Sequence, residues 1–379
     1  MKLFPFWLFM LLILSCVNQP KKQNLNAKKQ SDSFKVEYAK GFEVKTYKDY
    51  YILKITQAWP EAEQDFTYLL QKRGASIDTK ISYDAKVEIP LKNIVVTSTT
   101  HIPSLENLEV LDRLIGFPNT DYISSAKARQ LIDEDNIKNI GQNQSLNTEL
   151  LIELQPEAVV SFAVKGQNKS LESVKKAGFP VLYNADWVEQ HPLGKAEWIK
   201  FFGLLFDKVE QSQKIFNTIK TEYERAKKLA SQTEIQPTVI SGALWKDQWY
   251  LPAGESWQAQ IIADANAEYL YADTQGTGSL SLAFESVLDK AQNADFWIAP
   301  AQYTSFQNMI EQQIHYQKFK AFRDKKVFTF ASNKGETGGV LYYELAPNRP
   351  DWVLKDLIKI FHPELLSTYH SHFFKPLNP

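Results

Sequence analysis

The chain has 379 residues and a net charge of −1, so it lacks the basic character expected of a nucleic-acid-binding protein. Its one cysteine, Cys16, excludes an intramolecular disulfide, and the fold must rest on its hydrophobic core. A chain of this length is expected to form two lobes, and no apolar stretch beyond the N-terminus approaches the ~20 residues of a membrane span.

The N-terminus has the pattern of an export signal. Lys2 precedes an almost wholly apolar run, 3–14, which is too short for a comfortable membrane span and is typical of a signal peptide. Ile13 and Ser15 before Cys16 resemble a bacterial lipobox, which implies a signal peptide of residues 1–15 and lipidation of Cys16. Several acyl chains, each worth ~0.8 kcal/mol per buried methylene, would form a stable anchor. The alternative is an ordinary secretory signal with an incidental cysteine.

Two further segments precede the main body. Residues 16–33 are expected to form a lipidated tether, because they are polar, rich in Lys, Asn and Gln, and without apolar period, which is typical of a solvated linker. Residues 34–90 are expected to form a small β region. Within it, alternating apolar residues over 34–55 predict two or three strands that end before Trp59.

Residues 91–192 alternate between short strands and short helices. Buried strands are predicted at 93–99, 113–116, 158–163 and 180–183, with helices at 103–111, 125–134, 148–154 and 170–177. This alternation predicts an N-terminal α/β lobe with a parallel sheet covered on both faces.

A long helical region, 193–231, follows, with an apolar stripe in its second half and a kink predicted at Gly203 to Asp207. The α/β alternation then resumes over 232–379, ending in a helix at 350–361. The predicted fold class is therefore α/β: two α/β lobes with parallel sheets joined by a single long helix, plus the small N-terminal β region.

One internal repeat links the lobes. Glu149 and Glu285 each occupy the first turn of a short predicted helix, with an acid four residues later and a buried strand after the helix. Asn147 and Ser281 are the predicted N-caps. A glutamate at a helix N-terminus can simply complement the macrodipole, but two at equivalent places would form a symmetric pair of exposed charges.

The order and spacing of these segments resemble a known family: the substrate-binding proteins of ABC importers for ferric siderophores, haem and cobalamin, whose lobes are bridged by one helix. The resemblance covers residues 91–366. It rests on the run 93–101, the segments at Glu149 and Glu285, the helix start at 192–198, and the segments 253–257 and 276–279. It implies a small-molecule ligand between the lobes and docking of Glu149 and Glu285 onto arginines of the permease dimer.

In α/β sheets, ligands bind at the carboxyl ends of the strands. His101 is a candidate axial ligand of haem iron or cobalt, and the alternative is a hydrogen-bonded structural histidine. For each tryptophan the alternative is a place in the core, where tryptophans lie more often than in a pocket. The predicted cleft residues are Thr99, Thr100, His101, Trp187, Trp245, Trp249, Tyr250, Trp257 and Thr277.

The predicted function is a lipid-anchored substrate-binding protein that captures an iron chelate or cobalamin and delivers it to an ABC permease. Only one histidine, His101, is a good cleft candidate, so no bare-metal site and no cofactor are predicted. An exported enzyme acting on a glycan or a cobalamin-like substrate is the alternative, although the chain has no G-x-S-x-G, H-E-x-x-H or phosphate-loop motif. A structural lipoprotein is a third possibility. We expect a monomer in the periplasm of a Gram-negative bacterium, anchored to the inner or outer membrane.

Overall fold

The computed structural model of the chain describes residues 34–77, 81–166 and 168–379. The predicted signal peptide, the tether and Cys16 lie outside the described residues. None of the helices within those ranges is long and apolar enough to cross a membrane.

The N-terminal β region is a four-stranded sheet. Its strands are β1 (Phe42–Thr46), β2 (Tyr50–Ile55), β3 (Phe66–Lys72) and β4 (Ala85–Ile89), in that spatial order. The first two pairings are antiparallel, and β3 and β4 are parallel. The alternation in β2 directs Leu53 and Ile55 into the common hydrophobic core. The sheet extends beyond the predicted strands because β3 and β4 complete it.

The N-terminal lobe contains the predicted parallel sheet. Its elements in chain order are β5 (Ile94–Val96), α1 (Ile102–Asn107), β6 (Leu114–Phe117), α2 (Ala126–Asp133), β7 (Lys138–Asn139), β8 (Gly141–Gln142), β9 (Ser145–Leu146), α3 (Thr148–Leu154), β10 (Val159–Ser161), α4 (Lys169–Lys176) and β11 (Val181–Tyr183). The five-stranded sheet has the order β11-β10-β5-β6-β7, with all pairings parallel. The strands β8 and β9 form a separate short hairpin.

The connection between the lobes is a succession of helices: α5 (Pro192–Glu197), α6 (Ile199–Leu205) and α7 (Val209–Ala230). The predicted kink is a complete break, because Asp207 adopts a left-handed conformation with φ of 54°. Gly203 lets α6 approach α7, since a Cβ there would lie 2.3 Å from Ser212 Oγ. The long helix of the predicted architecture is thus α7, with 22 residues.

The C-terminal lobe has a second mostly parallel sheet. Its elements are β12 (Thr238–Ser241), β13 (Ala243–Trp245), β14 (Gln248–Pro252), α8 (Trp257–Asp264), β15 (Glu268–Tyr269), β16 (Ser279–Leu282), α9 (Phe284–Ala291), β17 (Phe296–Ile298), α10 (Phe306–Gln312), α11 (Lys320–Arg323), β18 (Val327–Thr329), α12 (Leu341–Leu345), α13 (Pro350–Phe361) and β19 (Lys375–Pro376). The main sheet has the order β15-β12-β17-β18-β19, with only β19 antiparallel. The strands β13, β14 and β16 form an antiparallel sheet that the sequence did not predict. The α/β fold class is confirmed.

The residues before β1 form an arm, 34–41, that is fastened to the helices between the lobes. Buried Glu197 of α5 accepts backbone N–H groups of Glu37, Tyr38 and Ala39 at 2.6–3.0 Å. Lys200 Nζ donates to the same carboxylate at 2.6 Å. Buried Glu189 accepts two further amides of the arm, from residues 40 and 41. The arm therefore supplies the backbone donors that these buried carboxylates need.

Candidate functional site

The first part of the site is a cavity of about 290 Å³ between the lobes. The N-terminal lobe lines it at the carboxyl ends of β5, β6 and β10, with Thr97, Ser98, Thr99, Phe117 and Phe162. The C-terminal lobe lines it with Gly339, Val340, Tyr343 and Glu344. This position agrees with the rule that ligands of α/β proteins bind beyond the carboxyl ends of parallel strands.

Two further cavities extend this space. One of about 760 Å³ lies on the C-terminal lobe, where Trp245 of β13 and residues 301–303 contribute to it. It adjoins the first cavity, because Gln302 Nε2 donates to Tyr343 Oη at 3.0 Å. The other, of about 480 Å³, shares Asn143 and Phe162 with the first cavity. We refer to these three cavities together as the inter-lobe cleft.

A segment of the C-terminal lobe, residues 333–348, crosses to the N-terminal lobe beside the cleft; we call it the strap. Thr337 Oγ1 donates to the backbone oxygen of Asp121 at 2.7 Å, and Asn348 Nδ2 donates to that of Thr100 at 2.8 Å. Ser124 Oγ donates to the backbone oxygen of Gly339. A Cβ on Gly339 would lie 2.7 Å from Ser124 Oγ, so glycine allows this close approach.

Glu344 of the strap is a buried carboxylate at the boundary of the lobes. Its Oε2 accepts the backbone N–H of Ser124 at 2.7 Å, whereas Oε1 has no hydrogen-bond partner among the described residues. Burial raises the pKa of Glu344 to about 7, and the nearby charge of Glu106 acts in the same direction. The backbone amides of Ser124 and Ser125 oppose that shift. The buried charge of Glu344 is thus incompletely compensated by its surroundings.

The three predicted residues after β5 have different environments. Thr99 lines the cleft as expected, and Thr100 lies beside it with its backbone oxygen bonded to the strap. His101, in contrast, is completely buried against Phe202, with a ring-centroid distance of 5.4 Å. Burial lowers the pKa of His101 to about 4. Its placement in the cleft is wrong, because a ring enclosed by the core cannot reach a ligand; this also removes it as an axial ligand.

The hairpin of β13 and β14 carries three predicted aromatic residues of the cleft and places them in different environments. Trp245 is 67% exposed and lines the cleft. Trp249 is fully buried, stacks on Trp297 at 5.1 Å, and donates from Nε1 to the backbone oxygen of Ser241. Its placement in the cleft is therefore wrong, since the ring belongs to the core. Tyr250 points to the other face and is 42% exposed, but it is not among the residues that line the cleft in the described chain.

Trp187 and Trp257 lie near one buried lysine. Lys195 Nζ donates to the backbone oxygens of Asp186 and Trp187 and lies 5.6 Å from the ring centroid of Trp257. Burial lowers the pKa of Lys195 to about 8. The Trp257 ring also lies 6.2 Å from that of Tyr342, next to the cleft residue Tyr343. These contacts place both tryptophans near the junction of the lobes and not in the three cavities.

Thr277 lies in an exposed loop, 272–278, that is attached to the start of α8. Gly276 N–H donates to Glu255 Oε2 at 2.9 Å, and Ala253 N–H donates to the backbone oxygen of Gly278. Thr277 itself is exposed and is not among the residues that line the cleft in the described chain. Its ligand-binding role stays a prediction without support from position.

Glu149 and Glu285 occupy equivalent places in the two lobes. Each is an exposed residue in the first turn of a helix, α3 or α9. The strand after each helix, β10 or β17, pairs with the first strand of its lobe's main sheet. Neither glutamate forms an ion pair within the described residues. Asn147 caps α3 as predicted, but Ala283 and not Ser281 is the N-cap of α9, because Ser281 belongs to β16.

Several cleft residues were not predicted from the sequence: Phe117, Tyr122, Phe162, Tyr343 and Glu344. The strap carries one signal in the sequence: three glycines occur within 335–339, a pattern typical of close backbone approach. Among the described residues, no group of three or more His, Cys, Asp and Glu side chains could hold a metal ion.

The periplasmic binding protein family profile matches residues 94–333. The chain belongs to this family. The match spans β5 to the start of the strap, so the sheet of β1 to β4 lies outside it. The resemblance seen in the sequence is confirmed, and the chain is a solute-binding protein and not an enzyme. The family implies a small-molecule ligand and an ABC permease as partner.

An uncharacterized lipoprotein of Methanocaldococcus jannaschii is 25% identical over 303 residues, covering 77% of this chain and 70% of the relative. Three solved structures share the fold. A possible iron-binding protein from Staphylococcus epidermidis has a TM-score of 0.55 at 19% identity, covering 72% of this chain and 99% of that one. A heme-binding protein from Roseiflexus has a TM-score of 0.54 at 17% identity, with the same coverage. A vitamin B12-binding protein from Vibrio cholerae has a TM-score of 0.51 at 11% identity, covering 74% and 99%.

Proposed function

We propose that this periplasmic binding protein captures a metal chelate in the inter-lobe cleft and delivers it to an ABC permease. The chelate is an iron chelate (a ferric siderophore or haem) or cobalamin. The observation that carries the proposal is the position of the cleft, which lies at the carboxyl ends of the N-terminal sheet and is lined from both lobes.

The chemistry of the cleft supports a large ligand. Aromatic rings of Phe117, Phe162, Tyr343 and Trp245 line it together with the hydroxyls of 97–99. Ligand sites are typically mostly apolar, with a few polar groups that fix the orientation of the ligand, and have volumes of about 300–1,000 Å³. Structures of the same fold are described as iron-binding, heme-binding and vitamin B12-binding proteins.

We further propose that the protein is anchored outside the cytoplasm by lipid on Cys16. The lipobox-like sequence before Cys16 supports this, as does the naming of the relative from Methanocaldococcus jannaschii as a lipoprotein. The periplasm of a Gram-negative bacterium is the proposed compartment.

Glu149 and Glu285 are the proposed contacts with the permease. Both are exposed and lack an ion-pair partner in the described chain, so each carboxylate is available to an arginine of another protein. Their equivalent places in the two lobes suit a dimeric permease, in which each subunit would receive one glutamate.

Titration of the full-length protein in detergent with haemin, cyanocobalamin and ferric hydroxamates tests the proposal. We expect one of these to change the visible spectrum of the chelate and to quench tryptophan fluorescence in a saturable manner, because Trp245 lies in the cleft. Trp245→Phe should remove part of the quenching. Linear, non-saturable responses to every chelate would contradict the proposed function.

A further inference from the structure

The wall that the C-terminal lobe contributes to the cleft is rich in carboxamides, which are four of the twelve residues lining the cavity around Trp245. Four carboxamide side chains line the cavity of about 760 Å³ around Trp245, and we call them the carboxamide wall: Gln302, Asn308, Gln312 and Gln313. In Gln302, Asn308 and Gln313 only one of the two polar atoms of the carboxamide, the nitrogen or the oxygen, forms a hydrogen bond. The carboxamide of Gln312 forms none with the described residues. The wall therefore offers both donors and acceptors to a ligand.

The same wall carries little positive charge. Asp247 and Glu311 line it, and Lys246 is the one cation among its described lining residues. Two lysines line the other end of the inter-lobe cleft, in the cavity of about 480 Å³, and they belong to the N-terminal lobe: Lys165 and Lys169. All six arginines are bonded outside the described cleft lining, to Glu157, Asp112, Thr120, Glu222, Lys318 and Asp351.

Trp245 adds a broad apolar face to these amides. Its ring is 67% exposed although the neighbouring Trp249 is buried, so the hairpin holds it out from the core. An aromatic face surrounded by neutral donors and acceptors suits a flat or bulky ligand whose edge is polar but uncharged. An anionic edge would instead be placed beside Asp247 and Glu311, and among the described lining residues of the wall only Lys246 could compensate its lost hydration.

We propose that the carboxamide wall binds an amide-bearing, uncharged periphery, so that the ligand is a neutral or cationic chelate such as a corrinoid or a ferric trihydroxamate. This rests on the proposed function of the cleft. Complementary amide pairs give specificity, because a ligand without them would leave polar groups of the wall unpaired. Propionate-bearing haem and anionic ferric catecholates are disfavoured by the same wall.

The first test compares four chelates with the full-length protein in detergent at one ionic strength. The amide-bearing probes are cyanocobalamin and ferrioxamine B, and the anionic probes are haemin and ferric enterobactin. We expect one amide-bearing probe to bind at least tenfold more tightly than both anionic probes, and its identity separates the corrinoid from the hydroxamate. Equal or tighter binding of an anionic probe overturns the inference but leaves the proposed function intact. Absence of binding by all four overturns the proposed function.

The second test removes hydrogen bonding at nearly constant side-chain shape. Gln302→Met and Gln312→Met should each weaken binding of the preferred chelate about five- to tenfold. Gln307→Met is the matched control, because Gln307 lies on the same helix as Gln312 but is not among the described lining residues. We expect the control to bind as the wild type does. Unchanged affinity in both cleft variants would show that the wall does not contact the ligand, and the inference would fail.

Discussion

Glu344 and Glu197 are both buried carboxylates, but their surroundings compensate them to different extents. Glu197 receives three backbone amides and the ammonium group of Lys200. Glu344 receives the amide of Ser124 on one oxygen, and its other oxygen has no partner in the described chain. The first residue therefore holds two parts of the chain together, whereas the free energy that the second contributes to folding should depend on pH.

The pH response of Glu344 has a definite sign. Its pKa is raised from an ordinary value of 4.5 to about 7 in the folded protein, so the folded state retains a proton that the unfolded state has lost. The stability that this proton provides is fully present below pH 4.5 and is lost as the pH rises through about 7. Glu344→Gln should thus be as stable as the wild type at about pH 4 and about 1–3 kcal/mol more stable at pH 8.

Urea unfolding at both pH values measures this difference. Glu336→Gln is the control, because Glu336 is an exposed residue of the same strap. A Glu344→Gln protein that is less stable than the wild type at pH 8 would mean that the charged carboxylate stabilises the contact between the lobes.

Glu197 should be costly to remove. Glu197→Ala leaves the ammonium group of Lys200 buried without its carboxylate and three amides of the arm without an acceptor. Breaking such a buried pair typically costs about 3–5 kcal/mol. The free energy of unfolding measures this loss, with exposed Glu224→Ala as control. Equal stabilities of the two variants would show that the arm does not depend on this carboxylate.

At the level of elements, the strap is the part of the C-terminal lobe that holds the lobes together beside the cleft. Its hydrogen bonds reach the segments around Asp121, Ser124 and Thr100 of the other lobe. Since Glu344 and Tyr343 line the cleft from the strap, release of the strap would change the volume available to a ligand.

A single methyl group should disturb the strap. In Gly339→Ala the new Cβ would lie 2.7 Å from Ser124 Oγ and 2.8 Å from the backbone oxygen of Tyr122. Overpacking of this kind costs about 1–3 kcal/mol. We expect faster hydrogen exchange in peptides covering 333–348 and 119–125. Gly278→Ala, which meets no atom within 4 Å, is the control. Unchanged exchange in Gly339→Ala would argue against close seating of the strap.

The parallel sheets were predictable, but other elements were not. Short apolar runs between Gly and Pro signals predicted four buried strands of the N-terminal lobe, which are β5, β6, β10 and β11 of the structure. The antiparallel sheet of β13, β14 and β16 depends on a partner about thirty residues away, which no local pattern reports. Likewise, the kink predicted at Gly203 to Asp207 lies at the right place, but its extent depends on the left-handed conformation of Asp207, which turns the kink into a complete break before α7.

The position of the cleft was predictable only where the preceding strand had been recognised in the sequence. The carboxyl-end rule placed Thr99 correctly, because strand β5 was recognised. It misplaced His101, because the chain forms a helical turn over Thr99–His101 directly before α1, and this turn directs the His101 ring into the core against Phe202. Trp249 and Tyr250 are adjacent in β14, and their sequence does not reveal which ring points to the core. The strap was missed because it has no apolar period.

At the scale of the whole molecule, three proposed functions reside in separate parts: the lipid anchor, the cleft and the two docking glutamates. A substitution in one part should therefore abolish only the function of that part. The anchor lies before the described residues, the cleft lies between the lobes, and Glu149 and Glu285 lie on helices outside the described cleft lining. Variants of one part should therefore leave the others intact.

Docking can be tested without disturbing ligand binding. The double variant Glu149→Ala/Glu285→Ala should abolish stimulation of the permease ATPase in nanodiscs, since truncating one side of a desolvated charge pair costs about 2–5 kcal/mol. Ligand affinity should remain unchanged. Glu210→Ala/Glu224→Ala removes the same number of exposed acids from α7 and should be silent. Joint loss of ligand binding and stimulation would place the two glutamates in the site or the core.

The anchor is tested by Cys16→Ala. Without the thiol that would carry the acyl chains, we expect an unprocessed or released protein that does not incorporate a clickable fatty acid. Metabolic labelling followed by in-gel fluorescence measures this. Equal labelling of the variant and the wild type would refute lipidation at Cys16.

The fastening of the arm has a mechanical consequence. Any chain that precedes residue 34 joins the body through the arm, and the arm is bonded to Glu189 and Glu197, between the last strand of one lobe and α6. A pulling force from that side would act on the hydrogen bonds to these two carboxylates, which lie next to the connection between the lobes. It would act only weakly on the main sheet of each lobe. The body could then rotate about the arm and present both lobes to a permease together. The pulling force itself would not separate the lobes.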